Sequence, residues 1–410
     1  MILNYIWISL ILLAIIIGLI QAVWMGNIEI FSDILNSTFT NAKTGFELSL
    51  GLAGILSLWM GIMKIGEKAG VVNTLGKGVA PFFTRIFPEI PKNHPVFGSM
   101  LMNIAANMLG LDNAATPMGL KAMGELQELN KDKSKASNAM IMFVVLGASG
   151  LTLIPTTIMA YRAQLGATNP ADVFLPILIA TYIATLAGLI AVCVSQKIKI
   201  VNPIVLGTLI GLTGLVGLLI WGASLLTAET LSIVSATAAA IILLSIITWF
   251  VLQAMIRKIN VYDAFIDGAK DGFKTAVGII PYLIAILVAV GMFRACGAME
   301  LLENGLAWCF EICGINPDLA GAVPTALIKP LSGSGARGLM LEAMTTHGVD
   351  SLVGRLCCIL QGTTDTTFYV LAVYFGSVSI KNTRHAVACC LIADLAGAIA
   401  AFAIAAIFFA

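Results

Sequence analysis

Gln361-Gly362-Thr363-Thr364-Asp365-Thr366-Thr367 interrupts an otherwise apolar run that extends from residue 351 to 376. Six of these seven residues carry hydrogen-bonding side chains, and such a set cannot face lipid, where unsatisfied polar groups are costly. The segment must turn toward a partner helix or a cavity. A second interruption, Gly147-Ala148-Ser149-Gly150-Leu151-Thr152-Leu153-Ile154-Pro155-Thr156-Thr157, falls midway through the apolar run 138–161. There Pro155 removes a backbone donor and the glycines loosen the helix, exposing backbone groups that can coordinate a solute.

Working outward, the composition is that of a polytopic membrane protein. Of 410 residues, 59% are hydrophobic and 11% charged, against about 25% charged in soluble domains; the mean hydropathy is +0.97. An ordinary cytosolic enzyme and a disordered chain are both excluded. A net charge of +1 offers no basic surface for nucleic acid. Nine runs are long and apolar enough to span a bilayer, which takes roughly 20 residues: 5–25, 46–63, 138–161, 173–195, 203–222, 231–253, 275–293, 351–376 and 386–409. The run from Tyr5 to about Val23 reads as a first span rather than a cleaved signal, since no Lys or Arg precedes it.

Two further stretches, 95–127 and 317–347, are apolar but interrupted. Asn103, Asn107 and Gly110-Leu111-Asp112-Asn113 break the first, and Lys329-Pro330-Leu331-Ser332-Gly333-Ser334-Gly335-Ala336-Arg337 the second. Each reads as helix, polar turn and helix, the pattern of a re-entrant hairpin. With a cytoplasmic N-terminus and both hairpins returning to their side of entry, 17 of the 23 Lys and Arg fall inside. Only Lys43, Arg162 and Arg294 fall outside, with Lys329, Arg337 and Arg355 at membrane depth. The positive-inside rule supports that layout, and nine crossings put the C-terminus on the far side. Segments 64–92 and 294–316 read as interfacial amphipathic helices, and Asn130–Lys135 as a solvated cytoplasmic loop.

The halves echo each other. Thr44-Gly45-Phe46 and Gly51 recur as Asp271-Gly272-Phe273 and Gly278, an offset of 227, and Gly70 recurs as Gly297. Ala184-Thr185-Leu186-Ala187-Gly188-Leu189-Ile190-Ala191 matches Ala393-Asp394-Leu395-Ala396-Gly397-Ala398-Ile399-Ala400 at six of eight places. The shared order is span, span, interfacial stretch, hairpin, span, span. Residues 1–200 form the first repeat, 201–230 a linker span and 231–410 the second. Because the linker is one extra crossing, the second repeat enters the membrane inverted, a pointer to a secondary-transporter core.

Ionisable residues at membrane depth mark function by default. The candidate solute-binding residues are Asn103, Asn107, Asp112, Asn113 and Thr116 around the first hairpin tip, and Ser149, Thr152 and Thr156 at the first break. The second hairpin adds Lys329, Ser332, Ser334 and Arg337, with Glu342 on its returning helix. The second break adds Gln361, Thr363, Thr364, Asp365 and Thr366. Asp112 and Asp365 are the coupling-ion candidates, because a carboxylate at depth can take Na⁺ or H⁺. Structural roles compete: Asp112 as a helix cap, Arg355 and Asp365 as a buried clamp, and threonines bonded to their own backbone.

No catalytic constellation is present, and the chain reads as no enzyme. His94, His347 and His385 show no metal-ligand spacing and read as surface residues. Cys309 and Cys313 are too sparse a pair for a metal site, and the remaining cysteines read as small hydrophobes. Gly333-Ser334-Gly335 lacks the context of a phosphate loop or a nucleophile elbow, and no Walker motif offers ATP coupling.

Residues 231–410 resemble spore maturation protein B through Ile279-Ile280-Pro281-Tyr282-Leu283, Ile328-Lys329-Pro330-Leu331-Ser332-Gly333 and the long stretch from Gln361 to Gly376. Residues 1 to about 200 resemble spore maturation protein A, chiefly through Asn107-Met108-Leu109-Gly110-Leu111-Asp112-Asn113-Ala114-Ala115-Thr116-Pro117. The chain thus looks like a natural fusion of the two. Both belong to the group with a nucleoside-recognition or gate domain, shared with concentrative nucleoside transporters and ferrous-iron transport protein B.

The expected fold is therefore an all-α integral membrane protein, about nine transmembrane helices plus two re-entrant helical hairpins in inverted repeat. That fold resembles the core of concentrative nucleoside transporters. The expected function is binding and moving a small polar or anionic solute, nucleoside-like or a small organic acid, midway between the hairpins in a bacterial inner membrane. Spore or envelope maturation is the process the resemblance implies. The alternative is a non-transporting scaffold that keeps the gate fold. Expected partners are membrane lipid and the solute, with a homo-oligomer left open and no nucleic acid; no cofactor is expected beyond Na⁺ or H⁺ as coupling ion, and no metal.

Overall fold

The computed structural model describes residues 2–91, 94–109, 112–150, 152–198, 203–226, 228–312 and 314–409, with the backbone alone at 2, 3, 112–114, 224, 228, 229 and 232. Among these residues every regular element is helical. The first half contains α1 (Ile2–Trp24), α2 (Ile30–Lys68), α3 (Val71–Ile86), α4 (Val96–Met108), α5 (Asp112–Leu129), α6 (Asn138–Ala148), α7 (Thr156–Gln164) and α8 (Phe174–Gln196). Next comes α9 (Pro203–Ser224). The second half contains α10 (Ala228–Ile256), α11 (Val261–Ala295), α12 (Ala298–Ile312), a 3₁₀ turn (Pro317–Ala322) and α13 (Val323–Ile328). It closes with α14 (Gly333–His347), α15 (Leu352–Thr363), α16 (Thr367–Ser377) and α17 (Ala386–Phe409).

Eight candidate spans satisfy length and composition, α15 and α16 counting together. The expected run 138–161 is broken where the sequence placed its interruption, into two helices of 11 and 9 residues, α6 and α7, and so is not among those eight. Pro155 and Gly150 explain the gap, and neither half is long enough alone. The expected runs 46–63 and 275–293 are sections of helices of 39 and 35 residues. At about 1.5 Å per residue each extends well past a hydrocarbon core of roughly 30 Å. The interfacial expectation for 64–92 and 294–316 narrows to α3 and α12, because α2 continues to Lys68. The expected hairpins are helix pairs, α4 beside α5 and α13 beside α14. α9 keeps most of its apolar surface exposed, including Leu218 and Trp221.

The echoed glycines are helix crossings. At an offset of 227, Gly45 is equivalent to Gly272, and Ser57 to Ile284. A Cβ on Gly45 would lie 3.2 Å from the Ile284 backbone, and one on Gly272 would lie 2.7 Å from Ser57 Cα. The two contacts are one contact turned round. Asn41 against Gly291 and Gly268 against Lys64 form a second such pair. α8 and α17 repeat the rule at their own offset: Gly188 approaches Ala393 Cβ at 3.1 Å and Gly397 approaches Ala184 Cβ at 3.0 Å. A two-fold relation requires this reciprocity, and small residues let membrane helices approach this closely.

The chain divides into two compact units: residues 1–58, 157–170 and 269–361 form the first, and 59–156, 171–268 and 362–410 the second. The second unit's buried core runs through α4, α6, α8, α16 and α17 around Phe143, Met140, Leu189, Tyr374 and Cys390. In the first unit, Ile286, Val290, Met299 and Leu339 bury α11, α12 and α14 against one another.

Candidate functional site

The second unit holds the meeting of the two breaks. α6 ends at Ala148, and Gly150 turns the chain with φ +62°. Only glycine takes that angle without strain, and a Cβ there would stand 2.8 Å from the Asp365 nitrogen. The Asp365 N–H donates to the Ala148 carbonyl at 2.9 Å. α6 and α15 begin at Asn138 and Leu352, an offset of 214 that makes Gly150 equivalent to Thr364. Equivalent positions therefore touch, and the interrupted spans meet at their interruptions.

Neighbours satisfy much of the freed backbone. Thr181 Oγ1 donates to the Gly150 carbonyl at 2.7 Å, Thr152 Oγ1 donates to the same carbonyl at 3.2 Å, and the Leu153 N–H donates to the Met108 carbonyl at 2.7 Å. That last bond ties the first hairpin to the first break. Ser149, Thr156, Thr363, Thr364 and Thr366 are buried, whereas Asp365 is exposed and accepts from the Thr366 N–H at 2.6 Å. Its carboxylate thus sits at the start of α16, where a helix N-terminus favours negative charge.

In the first hairpin Asn103 is fully buried. Its amide donates to the Ala115 carbonyl at 2.7 Å and to Tyr374 Oη at 3.1 Å, so it braces the hairpin. Asn107 donates to Asn103 Oδ1 at 3.4 Å, and Thr116 is partly buried. The side chains of Asp112 and Asn113 lie outside the described residues.

The first unit builds the second hairpin's tip onto the end of α15. Lys329 Nζ donates to the Gln361 carbonyl at 2.8 Å, and Gln361 Nε2 to the Gly333 carbonyl at 3.3 Å. Ser332 caps α14 by accepting from the Gly335 N–H at 3.0 Å, with Ser334 Oγ 3.3 Å from its own. Arg337 lies over the Tyr161 ring, 5.9 Å from its centroid, within cation–π range. Gln361 Oε1 is buried with no hydrogen-bond partner among the described residues. Such an orphan acceptor costs about 1–3 kcal/mol until something donates to it.

Two charged clusters were not foreseen, because their members are far apart in sequence. Arg162 is fully buried, donating to the Val349 carbonyl at 2.8 Å and to Asp350 at 2.9 Å. Arg355 lies 3.8 Å from Asp350 as well. Burial raises the Asp350 pKa, but the Thr168 N–H, Arg162 and Arg355 together hold it below its ordinary value. In the other cluster Arg294 reaches both Glu342 and, at 2.9 Å, Glu303. His347, exposed as expected, stands 3.9 Å from Glu303. Burial pushes Glu303 up, yet hydrogen bonds from His347 and Arg294 outweigh it and hold the carboxyl low. Among the described residues no group of three or more His, Cys, Asp or Glu is placed to hold a metal. Cys309 is exposed and free, and Cys313 lies outside the described residues.

The model of the family described as Gate, nucleoside recognition, matches residues 49–165 and 276–381. Both hairpins and both breaks fall inside those ranges. Spore maturation protein A of Bacillus subtilis (strain 168) is 39% identical over 187 residues, covering 46% of this chain and 92% of that protein. Spore maturation protein B of the same organism is 42% identical over 164 residues, covering 40% of this chain and 90% of its own length. The two relatives match different parts of the chain. No solved structure matches.

Proposed function

The chain belongs to the Gate family of nucleoside-recognition domains, and on that premise we propose that it is a secondary-transporter-like protein of the bacterial inner membrane. It moves a small polar or anionic solute, a nucleoside or a small organic acid. The observation that carries this reading is the contact of Gly150 with Thr364 and Asp365, where two interrupted spans meet at their breaks. A purely structural bundle has no use for paired interruptions, each of which forfeits helical hydrogen bonds. Inverted repeats with broken helices at corresponding positions are the usual pointer to a transport site, and the reciprocal crossings support the inverted relation.

Burial supports different proposed roles for the candidates. Asn103, Ser149 and Thr363 are too enclosed for solute and act as braces. Within the second unit the residues proposed to meet solute are Asn107, Thr116, Thr152 and Asp365; within the first, taken by itself, they are Lys329, Ser334, Arg337 and Gln361. Arg337 and Lys329 suit an anionic or carbonyl-rich group; Gln361 Oε1 awaits a donor. Asp365, exposed and negative, is the foremost coupling carboxylate, with Asp112 the second candidate. Both hairpins are re-entrant in this reading. The relatives' names carry spore maturation, and a role in spore or envelope maturation is part of the proposal.

Proteoliposomes loaded in turn with nucleosides, dicarboxylates or ferrous iron, under Na⁺ and H⁺ gradients, provide the test. Saturable uptake of one class is expected, lost in Arg337→Ala and Asp365→Asn variants that still fold. Uptake no greater than in empty liposomes, for every solute and both gradients, would sink the transporter in favour of a membrane scaffold.

A further inference from the structure

A separate concavity lies in the second unit, away from hairpins and breaks. The end of α3, the first turn of α6 and the end of α8 enclose an open cavity of ≈ 440 Å³. Arg85 and Lys197 stand at it, both exposed; Arg85 donates to the Pro81 carbonyl of its own helix, and neither side chain is in an ion pair among the described residues. The cavity's one carboxylate, Glu89, is engaged: Asn138 Nδ2 donates to it at 2.5 Å, while Arg384 donates to Asn138 Oδ1 at 3.0 Å. Arg384 thus offsets Glu89 through one amide, leaving Arg85 and Lys197 as surplus charge. The apolar part of the lining includes the buried Phe87 and Met142.

The position of this cavity is as telling as its charge. α8 is a 23-residue apolar span, and Gln196 and Lys197 end it, so they lie where a span leaves the hydrocarbon. α3 is amphipathic, with Phe82 and Phe83 packed on the core and Lys77 and Arg85 outward, the habit of a helix lying in the interface. The positive-inside layout read from the sequence puts 17 of the 23 Lys and Arg, Arg85 and Lys197 among them, on this side. Basic cavities at the cytoplasmic ends of spans suit anionic headgroups, whose phosphate takes Arg in a bidentate grip. We propose that the cavity binds the phosphate headgroup of an anionic membrane phospholipid. Arg85 and Lys197 hold the phosphodiester, and Pro88 and Ile198, the more accessible apolar residues of the lining, meet the first acyl carbons. A free phosphate would gain the charges but waste the apolar lining.

Native mass spectrometry of the full chain in detergent, titrated with phosphatidylglycerol, phosphatidylcholine or inorganic phosphate, separates the sources. Phosphatidylglycerol is expected to bind best, and Arg85→Gln with Lys197→Gln together to weaken it by roughly thirtyfold, each charge near a membrane surface being worth about 1 kcal/mol. Glu89→Gln, which removes a negative charge without a new contact, should tighten it. Equal occupancy by phosphatidylcholine, or equal affinity in the double variant, would overturn the proposal. Inorganic phosphate displacing the lipid at comparable concentration would overturn the lipid assignment. A double variant that misfolds leaves Glu89→Gln to decide: no gain in affinity counts against the site.

Discussion

At the scale of single residues, Gly150 is constrained twice, by its φ of +62° and by the 2.8 Å that a Cβ would leave to the Asp365 nitrogen. Gly150→Ala should cost about 1–3 kcal/mol in backbone strain alone, read as a lower thermal midpoint in detergent. Gly54, helical and with open space around it, is the control: Gly54→Ala should hold or raise the midpoint by its helix propensity. Equal effects at both positions would mean that the breaks do not pack as described. The breaks themselves were legible in the sequence, since Gly147–Pro155 and Gln361–Thr367 are polar or flexible segments inside apolar runs. What Gly150 touches was not legible, because the partner lies more than two hundred residues away.

Among elements, the junction of α11, α12 and α14 is held by Arg294 between Glu303 and Glu342, with His347 beside Glu303. Glu303 is depressed below the ordinary glutamate value of 4.5. A depressed carboxylate contributes stability that is complete above its unfolded pKa and is lost as pH falls through the folded one. The thermal midpoint should therefore hold from neutrality to about pH 5 and fall below the glutamate range, where Glu303 protonates. Glu303→Gln should lower the neutral midpoint and flatten that acid limb; an unchanged limb would show that the junction does not depend on this charge. Arg294→Met should destabilise more, because it strands two carboxylates rather than one cation's second partner. Glu342 was visible as a polar residue on the returning hairpin helix, but nothing local in sequence joins it to residues 303 and 294. Helices are written in neighbours three and four apart, whereas junctions between helices are not.

For the whole molecule, the sequence echoes were faint as similarity and strong as geometry. Gly45 and Gly272 matched within triplets that apolar helices produce by chance, yet each is a point where the other half's helix runs against its backbone. The same holds for Gly188 and Gly397. The halves grip each other through paired small-residue crossings, and the two spore maturation proteins that match them are separate chains. Covalent linkage should then be dispensable. Residues 1–200 and 201–410, expressed together as two chains, are expected to copurify through a tag on either one. Reciprocity adds a sharper demand: Gly45→Leu in one chain and Gly272→Leu in the other should each break the association, since each wedges a side chain into one end of the same α2–α11 contact. Gly217→Leu on α9, with nothing within 4 Å of its Cβ position, should leave it intact. Copurification that survives both crossing variants would place the cohesion elsewhere. Loss on only one side would show that the crossing is not the two-fold contact that binds the halves.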